Sequence, residues 1–244
     1  MSSAKKGTLY LLPVGLSSPG EEPGAWEHWL PAATREIACR LQHYVVENAK
    51  TARASLKALN HPVALRELDI RELPQQLDDA VLDSLLEIAL AGQDIGLMSE
   101  AGCPAVADPG ALLVRAAHRR HIPVKPLVGP SSLLLSLMAS GLDGQRFAFH
   151  GYLPARDPER SKAIQALEKD SARLRQTQLF IETPYRNGAL FQALLKNCQP
   201  ATRLCVASDL TLPSEEIRTD SIAAWRKAAA PTLDKRPTVF LLLA

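Results

Sequence analysis

The chain has 244 residues, of which 46% are hydrophobic and 22% are charged. That length suits one large domain or two of roughly 100 to 150 residues, and the hydrophobic content is enough for buried cores, which excludes a disordered chain. Lys and Arg total 28 against 26 acidic residues, so the formal net charge of +2 neither requires nor excludes a nucleic-acid partner.

The cysteines and the N-terminal segment indicate the compartment. The chain has four cysteines without CxxC spacing, namely Cys39, Cys103, Cys198 and Cys205. We expect buried free thiols in a reducing cytosol, and we expect no metal site because no cluster of His, Cys and carboxylates has ligand spacing. The apolar run after Lys5 and Lys6 is too short for a signal core or a membrane span, so we expect a cytoplasmic protein without a membrane partner.

The first half of the chain alternates predicted strands and helices, which is typical of a parallel α/β sheet. The predicted strands cover residues 8–14, 44–46, 62–68 (an edge strand), 95–98 and 123–128. The predicted helices cover residues 34–41, 49–59, 74–90, 109–120 and 133–140. A loop is predicted at residues 17–20, and the sequence after residue 13 lacks the GxGxxG spacing of a conventional dinucleotide site.

The second half predicts a mixed α/β domain. Strands are expected at residues 147–150, 178–181, 203–208, 215–219 and 238–243, and helices at 158–174, from 187 to 196 and near 223–227. Gly141-Leu142-Asp143-Gly144 has the composition of a hinge. We therefore predict two domains, 1–145 and 146–244.

The most informative stretch is IGLMSEAGCPAVADPG at residues 95–110, followed by LVGPSS at 127–132. A short apolar run breaks into small residues, glycines and prolines that accompany two carboxylates, Glu100 and Asp108. This pattern is typical of buried parallel strands that end at the rim of an open sheet, where ligands usually bind. The alternative is a pair of ordinary strand-to-helix loops in which glycine and proline only set backbone angles.

The motifs occur in a fixed succession: SEAGCP, ADPG, GPSS and MASGL, and later FHGYLP and FIETPYR. This succession resembles the tetrapyrrole methylase-like family of S-adenosylmethionine-dependent methyltransferases, and especially its ribosomal RNA ribose 2′-O-methyltransferase branch. In that branch a segment like SDAGTPxxSDPG precedes one like PGPSAxxxALxxSGL. Two motifs depart from the branch: LPVGLS stands where it has a TPIGNLGD-like loop, and VENAKTAR stands where it has an acidic EDTR-like motif. The resemblance therefore points to a separate subgroup beside that branch.

The resemblance implies two α/β domains with an S-adenosylmethionine cleft between them, and a homodimer. It also implies a set of cofactor-binding residues: Pro13, Gly15, Ser99, Glu100, Ala101, Gly102, Ser131, Ser132, Ile181, Glu182, Thr183, Ala207 and Pro237. The first acceptor that it implies is the ribose 2′-hydroxyl of ribosomal RNA. The alternatives are a tetrapyrrole or another small molecule, and a non-catalytic cofactor-binding protein of the same fold.

A hydroxyl acceptor would need a base to remove its proton. Glu100 and Glu182 are the first candidates for a catalytic base and Glu47 is the third, although each carboxylate could instead be a structural hydrogen-bond acceptor. For Glu47 the alternative is an ion pair with Lys50 or Arg53, which follow closely in the sequence.

Two other groups of residues allow an RNA-binding and a structural interpretation. Trp26 and Trp29 could stack on a base or anchor a loop by hydrophobic contact. The cations near the end of the helix predicted at 109–120 could face RNA or simply favour the negative end of that helix; they are Arg115, His118, Arg119, Arg120 and His121.

Overall fold

The computed structural model describes residues 5–17 and 25–244, so residues 18–20 of the predicted loop lie outside the described part of the chain. The chain folds into two compact units, Met1–Ser131 and Ser132–Ala244. Among the described residues, no helix is both long and apolar enough to cross a membrane.

The first unit is a five-stranded sheet with helices and short 3-10 turns around it. Its strands are β1 (Leu9–Leu11), β2 (His43–Val46), β3 (Asp69–Glu72), β4 (Ile95–Met98) and β5 (Val124–Pro126). Its helices are α1 (Ala32–Arg40), α2 (Ala49–Ala58), α3 (Asp79–Leu90) and α4 (Ala111–Arg119), with 3-10 turns at Trp26–His28 and Leu65–Glu67. The strand order is β3-β2-β4-β1-β5, and all four pairings are parallel.

The central strand, β4, is buried along its whole length, as its apolar sequence predicts. One core lies around Tyr44, Val46 and Leu56, and a second lies around Leu86 and Leu97. Helices therefore cover both faces of the sheet. The loops of the candidate site follow the carboxyl ends of the strands.

The prediction of a strand at 62–68 is wrong. Val63, Leu65 and Leu68 pack on the core from an irregular segment that includes a 3-10 turn, while pairing with β2 begins only at Asp69, opposite His43. The apolar residues of this segment are spaced as in a strand because they pack on the core, although the segment pairs with no strand in the described part of the chain. The first strand is shorter than predicted because Pro13, which lacks an N–H group, interrupts the ladder.

The second unit contains β6 (Phe147–Tyr152), β7 (Thr177–Ile181), β8 (Arg203–Ser208), β9 (Glu216–Ser221) and β10 (Thr238–Leu243). Its helices are α5 (Ser132–Ser140), α6 (Glu159–Leu174), α7 (Asn187–Asn197) and α8 (Ile222–Trp225). The strand order is β6-β7-β10-β8-β9, with β6 parallel to β7 and the other pairs antiparallel. The mixed sheet agrees with the mixed α/β prediction.

Helix α5 packs on this second sheet through Leu137, which lies against Leu179 and Val239. The Thr219 hydroxyl also donates to the Ser140 carbonyl over 2.7 Å, which ties the end of α5 to β9. Helix α5 therefore belongs to the second unit, whereas the sequence assigned it to the first domain. The glycines predicted as a hinge connect α5 to β6 inside the second unit.

Candidate functional site

Three neighbouring strands of the first unit end at the same edge of the sheet. Because β1 runs parallel to both β4 and β5, the loops that follow them start side by side. Val14 and Gly102 join two of these loops by an isolated antiparallel bridge, in which the Val14 N–H donates to the Gly102 carbonyl over 2.9 Å and the reverse bond measures 3.2 Å. Two segments far apart in sequence are thus fixed to each other.

The loop after β5 approaches the loop after β1 more closely than a side chain would permit. A Cβ atom at Gly129 would lie 2.4 Å from the Cβ of Pro13. The Cys103 thiol, in the loop after β4, lies 3.4 Å from the Pro130 carbonyl, to which it donates. The three loops together form one rim, which we call the loop rim and define as residues 12–15, 99–103 and 127–131.

The surface of the loop rim is made largely of small residues and backbone. Ala101 is exposed, and Gly102 adopts a φ of +69°, a conformation that L side chains rarely adopt. The buried Ser99 hydroxyl donates to the Ala101 carbonyl over 3.1 Å, which fixes the turn. Such a rim suits close approach of a nucleoside, so the residues present fit an adenosyl cofactor.

Carboxylates accompany the loop rim on the side of β2. The Glu47 side chain accepts a hydrogen bond of 3.1 Å from the Glu100 N–H, and the Thr51 hydroxyl donates to Glu100 Oε1 over 3.4 Å. Among the described residues Glu47 pairs with neither Lys50 nor Arg53, so that predicted ion pair is wrong. Two residues of the VENAKTAR segment, Glu47 and Thr51, instead form hydrogen bonds with Glu100 in the loop after β4.

Asp108 is the acid that the sequence interpretation underrated. Burial, reinforced by the negative charges of Glu47 and Glu100, raises the pKa of Asp108 from 3.8 to about 6, although the nearby Ser99 hydroxyl opposes the shift. A carboxyl with a pKa near neutrality can accept or release a proton under ordinary conditions. The sequence could have indicated this acidic cluster, because Glu47 follows the end of β2 and both Glu100 and Asp108 follow the end of β4.

In the second unit, the predicted cofactor residues lie at one edge of the second sheet. Ile181, at the end of β7, pairs with Val239, which in turn pairs with Ala207. Pro237 directly precedes β10, and its carbonyl accepts a hydrogen bond from the Asp209 N–H over 2.9 Å.

Glu182, one of the two first candidates for a catalytic base, is 6% exposed and already engaged. Its Oε1 accepts from the Arg186 guanidinium over 2.7 Å and from the Thr183 N–H over 2.6 Å. A buried carboxylate with two donors fits a structural role at the β7 end.

The remaining predicted residues and cysteines occupy varied environments. Gly15 and Ser131 are partly exposed, and Ser132 is the first residue of α5. Burial raises the pKa of the Cys198 thiol to about 12 and also raises that of Cys205, so neither is a reactive thiolate. No group of three or more His, Cys, Asp or Glu could bind a metal ion within the described part of the chain.

The two groups with an alternative RNA-binding interpretation make internal contacts. Trp26 and Trp29 pack against the first core, and the Arg35 guanidinium lies 4.9 Å from the ring centre of Trp26. Arg119 and Arg120 form ion pairs with Asp79 and Asp83 of α3. Hydrophobic anchoring accounts for the two tryptophans, and contacts with α3 account for Arg119 and Arg120; Arg115, His118 and His121 are exposed.

Comparison with known proteins identifies the family. The family profile of Tetrapyrrole (Corrin/Porphyrin) Methylases matches residues 32–224. The chain belongs to this family. Its members are S-adenosylmethionine-dependent methyltransferases, which confirms the family predicted from the motif succession.

Relatives and solved structures agree with this assignment. The chain is 30% identical over 237 residues to the ribosomal RNA small subunit methyltransferase I of Xylella fastidiosa, covering 97% of this chain and 81% of the relative. It is 30% identical over 217 residues to the protein of the same name from Micromonospora olivasterospora, covering 87% of this chain and 62% of that relative.

Two solved structures share the fold. The methyltransferase CobJ superposes with a TM-score of 0.60 at 18% identity, and the alignment covers 98% of this chain and 94% of CobJ. Uroporphyrin-III-C-methyltransferase from Thermus thermophilus gives a TM-score of 0.54 at 19% identity, with the same two coverages. These similarities confirm the predicted tetrapyrrole methylase-like α/β fold.

Proposed function

We propose that this chain binds S-adenosylmethionine at the loop rim and transfers its methyl group to a ribose 2′-hydroxyl of ribosomal RNA. The structural observation that supports a binding site is the joining of the three loops by the Val14–Gly102 bridge and by the close approach of Gly129 to Pro13. The relatives named ribosomal RNA small subunit methyltransferase I support the acceptor.

The loop rim would bind and orient the cofactor through backbone groups and small side chains. Bound S-adenosylmethionine supplies an electrophilic methyl on a sulfonium. The chain's task is mainly to align the acceptor oxygen with that methyl and to exclude water. In the transfer the oxygen–carbon bond forms, the carbon–sulfur bond breaks with its electron pair going to sulfur, and the hydroxyl proton must leave.

We assign the proton-accepting role first to Asp108, with Glu100 second. The raised pKa of Asp108 makes its carboxylate a stronger base than an ordinary Asp while leaving it ionised above about pH 6. Glu100 keeps its carboxylate beside the same loop, where it accepts from Thr51. Glu182 is less suited because Arg186 and the Thr183 N–H already occupy one of its oxygens.

We also propose a homodimer, as the motif resemblance implies. On α5, Leu134 is 53% exposed and Met138, one turn later, is 80% exposed. A second copy of the chain would cover apolar side chains of this kind. Light scattering is expected to give twice the mass of the chain, and a monomeric mass at micromolar concentration would contradict the dimer.

Calorimetric titration with S-adenosylmethionine and S-adenosylhomocysteine tests the cofactor. We expect binding by the wild type and its loss in Ala101→Trp, which adds bulk to the exposed face of the loop rim. Ala91→Trp is the matched control, since Ala91 is also exposed but follows α3, before the amino end of β4. Gly102 is avoided because its positive φ would strain any side chain. No binding by the folded wild type would overturn the cofactor assignment.

A labelled-methyl assay on small-subunit ribosomal RNA tests the acceptor. A 2′-O-methyl group removes the nucleophile needed for alkaline cleavage, so the labelled nucleotide is expected to resist alkali. Label at an alkali-sensitive nucleotide would contradict the ribose, and label only in a small-molecule fraction would favour a tetrapyrrole or related acceptor. Cofactor binding without transfer to either fraction would favour a non-catalytic protein.

A further inference from the structure

Two tyrosines of the second unit are strongly exposed although the unit has ample core to bury them. Tyr152, the last residue of β6, is 58% exposed, and Tyr185, in the loop after β7, is 77% exposed. By contrast, Tyr10 and Tyr44 of the first unit are buried, and Phe180 and Phe240 stack inside the second core at 6.0 Å between ring centres. Tyrosine is enriched at interfaces because its ring is apolar and its hydroxyl is polar.

The backbone places both tyrosines at the same edge of the second sheet. Phe149 pairs with Leu179, but Tyr152 pairs with Ile181, so β6 advances three residues while β7 advances two. The extra residue is a β-bulge, and Gly151 accommodates it with a φ of +64°. Tyr185 follows Ile181 by four residues in the adjoining loop.

The bulge also decides which face of the sheet Tyr152 occupies. Paired residues on neighbouring strands share a face, so Tyr152 lies on the face of Ile181, which packs with Phe149 against the α5 side. Without the extra residue, Tyr152 would point to the opposite face. The bulge therefore directs this ring beside Ile181, one of the residues expected to bind the cofactor.

The charged residues that follow β6 and β7 in the sequence include one cation without an internal partner among the described residues. The carboxylate of Asp157 pairs with Arg160 over 2.8 Å, and that of Glu182 pairs with Arg186 over 2.7 Å. The exposed Arg156 side chain makes no hydrogen bond or ion pair with any described residue. Glu159 occupies the first turn of α6, where the helix dipole favours a negative charge.

We propose that Tyr152 and Tyr185 form a stacking edge on which unpaired nucleotides of the RNA acceptor are held. Every base has a flat face that can stack on an aromatic ring, and the backbone phosphates would lie near Arg156. The inference rests on the proposed RNA acceptor. It adds that the RNA bound at this edge is single-stranded or locally unpaired. Stacking would hold an unpaired nucleotide of the acceptor at this edge of the second unit.

The test is titration of the full chain with a short single-stranded RNA that carries 2-aminopurine, whose fluorescence falls when it stacks. We expect Tyr152→Ala and Tyr185→Ala each to weaken RNA binding by roughly 5- to 150-fold and to reduce the quenching. Tyr152→Phe and Tyr185→Phe keep a ring and should bind within about twofold of wild type. Phe147→Ala is the matched control, because Phe147 is 43% exposed at the other end of β6.

Cofactor titration of the same variants separates this inference from the proposed function. Unchanged S-adenosylhomocysteine affinity combined with weaker RNA binding supports the stacking edge. If the wild type methylates RNA while both alanine variants bind and quench like wild type, the stacking edge is wrong and the proposed function stands. If the wild type binds no RNA and methylates none, both fail. An alanine variant that changes the oligomeric mass and leaves RNA affinity unchanged would show that the tyrosines contact a second copy.

Discussion

Asp108 combines a half-buried position with two neighbouring carboxylates. Its pKa in the folded chain, about 6, exceeds the ordinary value of 3.8, so the folded state binds the proton more tightly. The free energy of unfolding should therefore fall as the pH rises from about 4 to 6. We expect Asp108→Asn to remove this fall and to stabilise the chain at about pH 8 by on the order of 2 kcal/mol.

Urea midpoints at about pH 5 and pH 8 measure this effect. Asp234→Asn, at an exposed aspartate, is the control and should leave the pH dependence unchanged. If Asp108 also accepts the hydroxyl proton, the methyl-transfer rate in the wild type should rise through about pH 6, and the asparagine variant should lose that rise along with most of its rate. An unaltered rate profile in the variant would assign Asp108 a structural role.

A substitution at Gly129 tests the close packing of two loops of the loop rim. A Cβ atom there would overlap Pro13, so Gly129→Ala must push apart the loops after β1 and β5. We expect a loss of about 1 to 3 kcal/mol in unfolding free energy and weaker S-adenosylhomocysteine binding. Gly144→Ala is the matched control, because open space surrounds that position. Equal behaviour of the two variants would contradict a tight contact between the loops.

The same residues show how far sequence could predict the site. The small-residue loops and Glu100 were identifiable because their pattern follows directly from the end of a buried strand. The surroundings of Asp108 were not, because its raised pKa depends first on burial and then on the charge of Glu47, which follows another strand. Glu182 was likewise an open choice until its contact with Arg186, one helical turn later, was known.

Among the elements, α2 connects a helix cap to the candidate site. The Asn48 side chain accepts from the N–H groups of Lys50 and Thr51, and the Thr51 hydroxyl reaches Glu100. Asn48→Ala should cost about 1 kcal/mol of unfolding free energy and also weaken S-adenosylhomocysteine binding, because Thr51 loses its fixed position.

Asp78→Ala provides the comparison for that variant, since Asp78 caps α3 in the same way but has no contact with the loop rim among the described residues. We expect a similar loss of stability from Asp78→Ala and unchanged binding by calorimetry. If both cap variants weaken binding equally, the coupling through Thr51 is absent.

Strands were predictable where burial and pairing coincide. The bounds of β4, β8 and β10 agree with prediction, because continuous apolar runs are typical of interior strands. Strand β3, with the sequence DIRE, escaped prediction because an edge strand can be charged and its place is set by pairing with β2. The sequence of residues 69–72 alone does not show that this segment pairs with β2.

For the whole molecule, cofactor binding should increase the free energy of unfolding. A ligand that binds only the folded chain adds about 2.7 kcal/mol when its concentration is about 100 times its dissociation constant. Thermal unfolding of the wild type should therefore shift upward with S-adenosylhomocysteine, and the shift should vanish in Ala101→Trp but persist in Ala91→Trp. A shift of equal size in all three proteins would place the ligand away from the loop rim.

The bulge at Gly151 has a consequence for the behaviour of the chain in a crowded solution. Strand β6 lies at the border of its sheet, where an unpaired row of N–H and C=O groups invites strands from other molecules to add. One extra residue breaks the regular spacing of that row and increases the local twist, so an incoming strand cannot continue in register past Phe149. The irregularity that places Tyr152 on the face of Ile181 should therefore also disfavour aggregation through this open border.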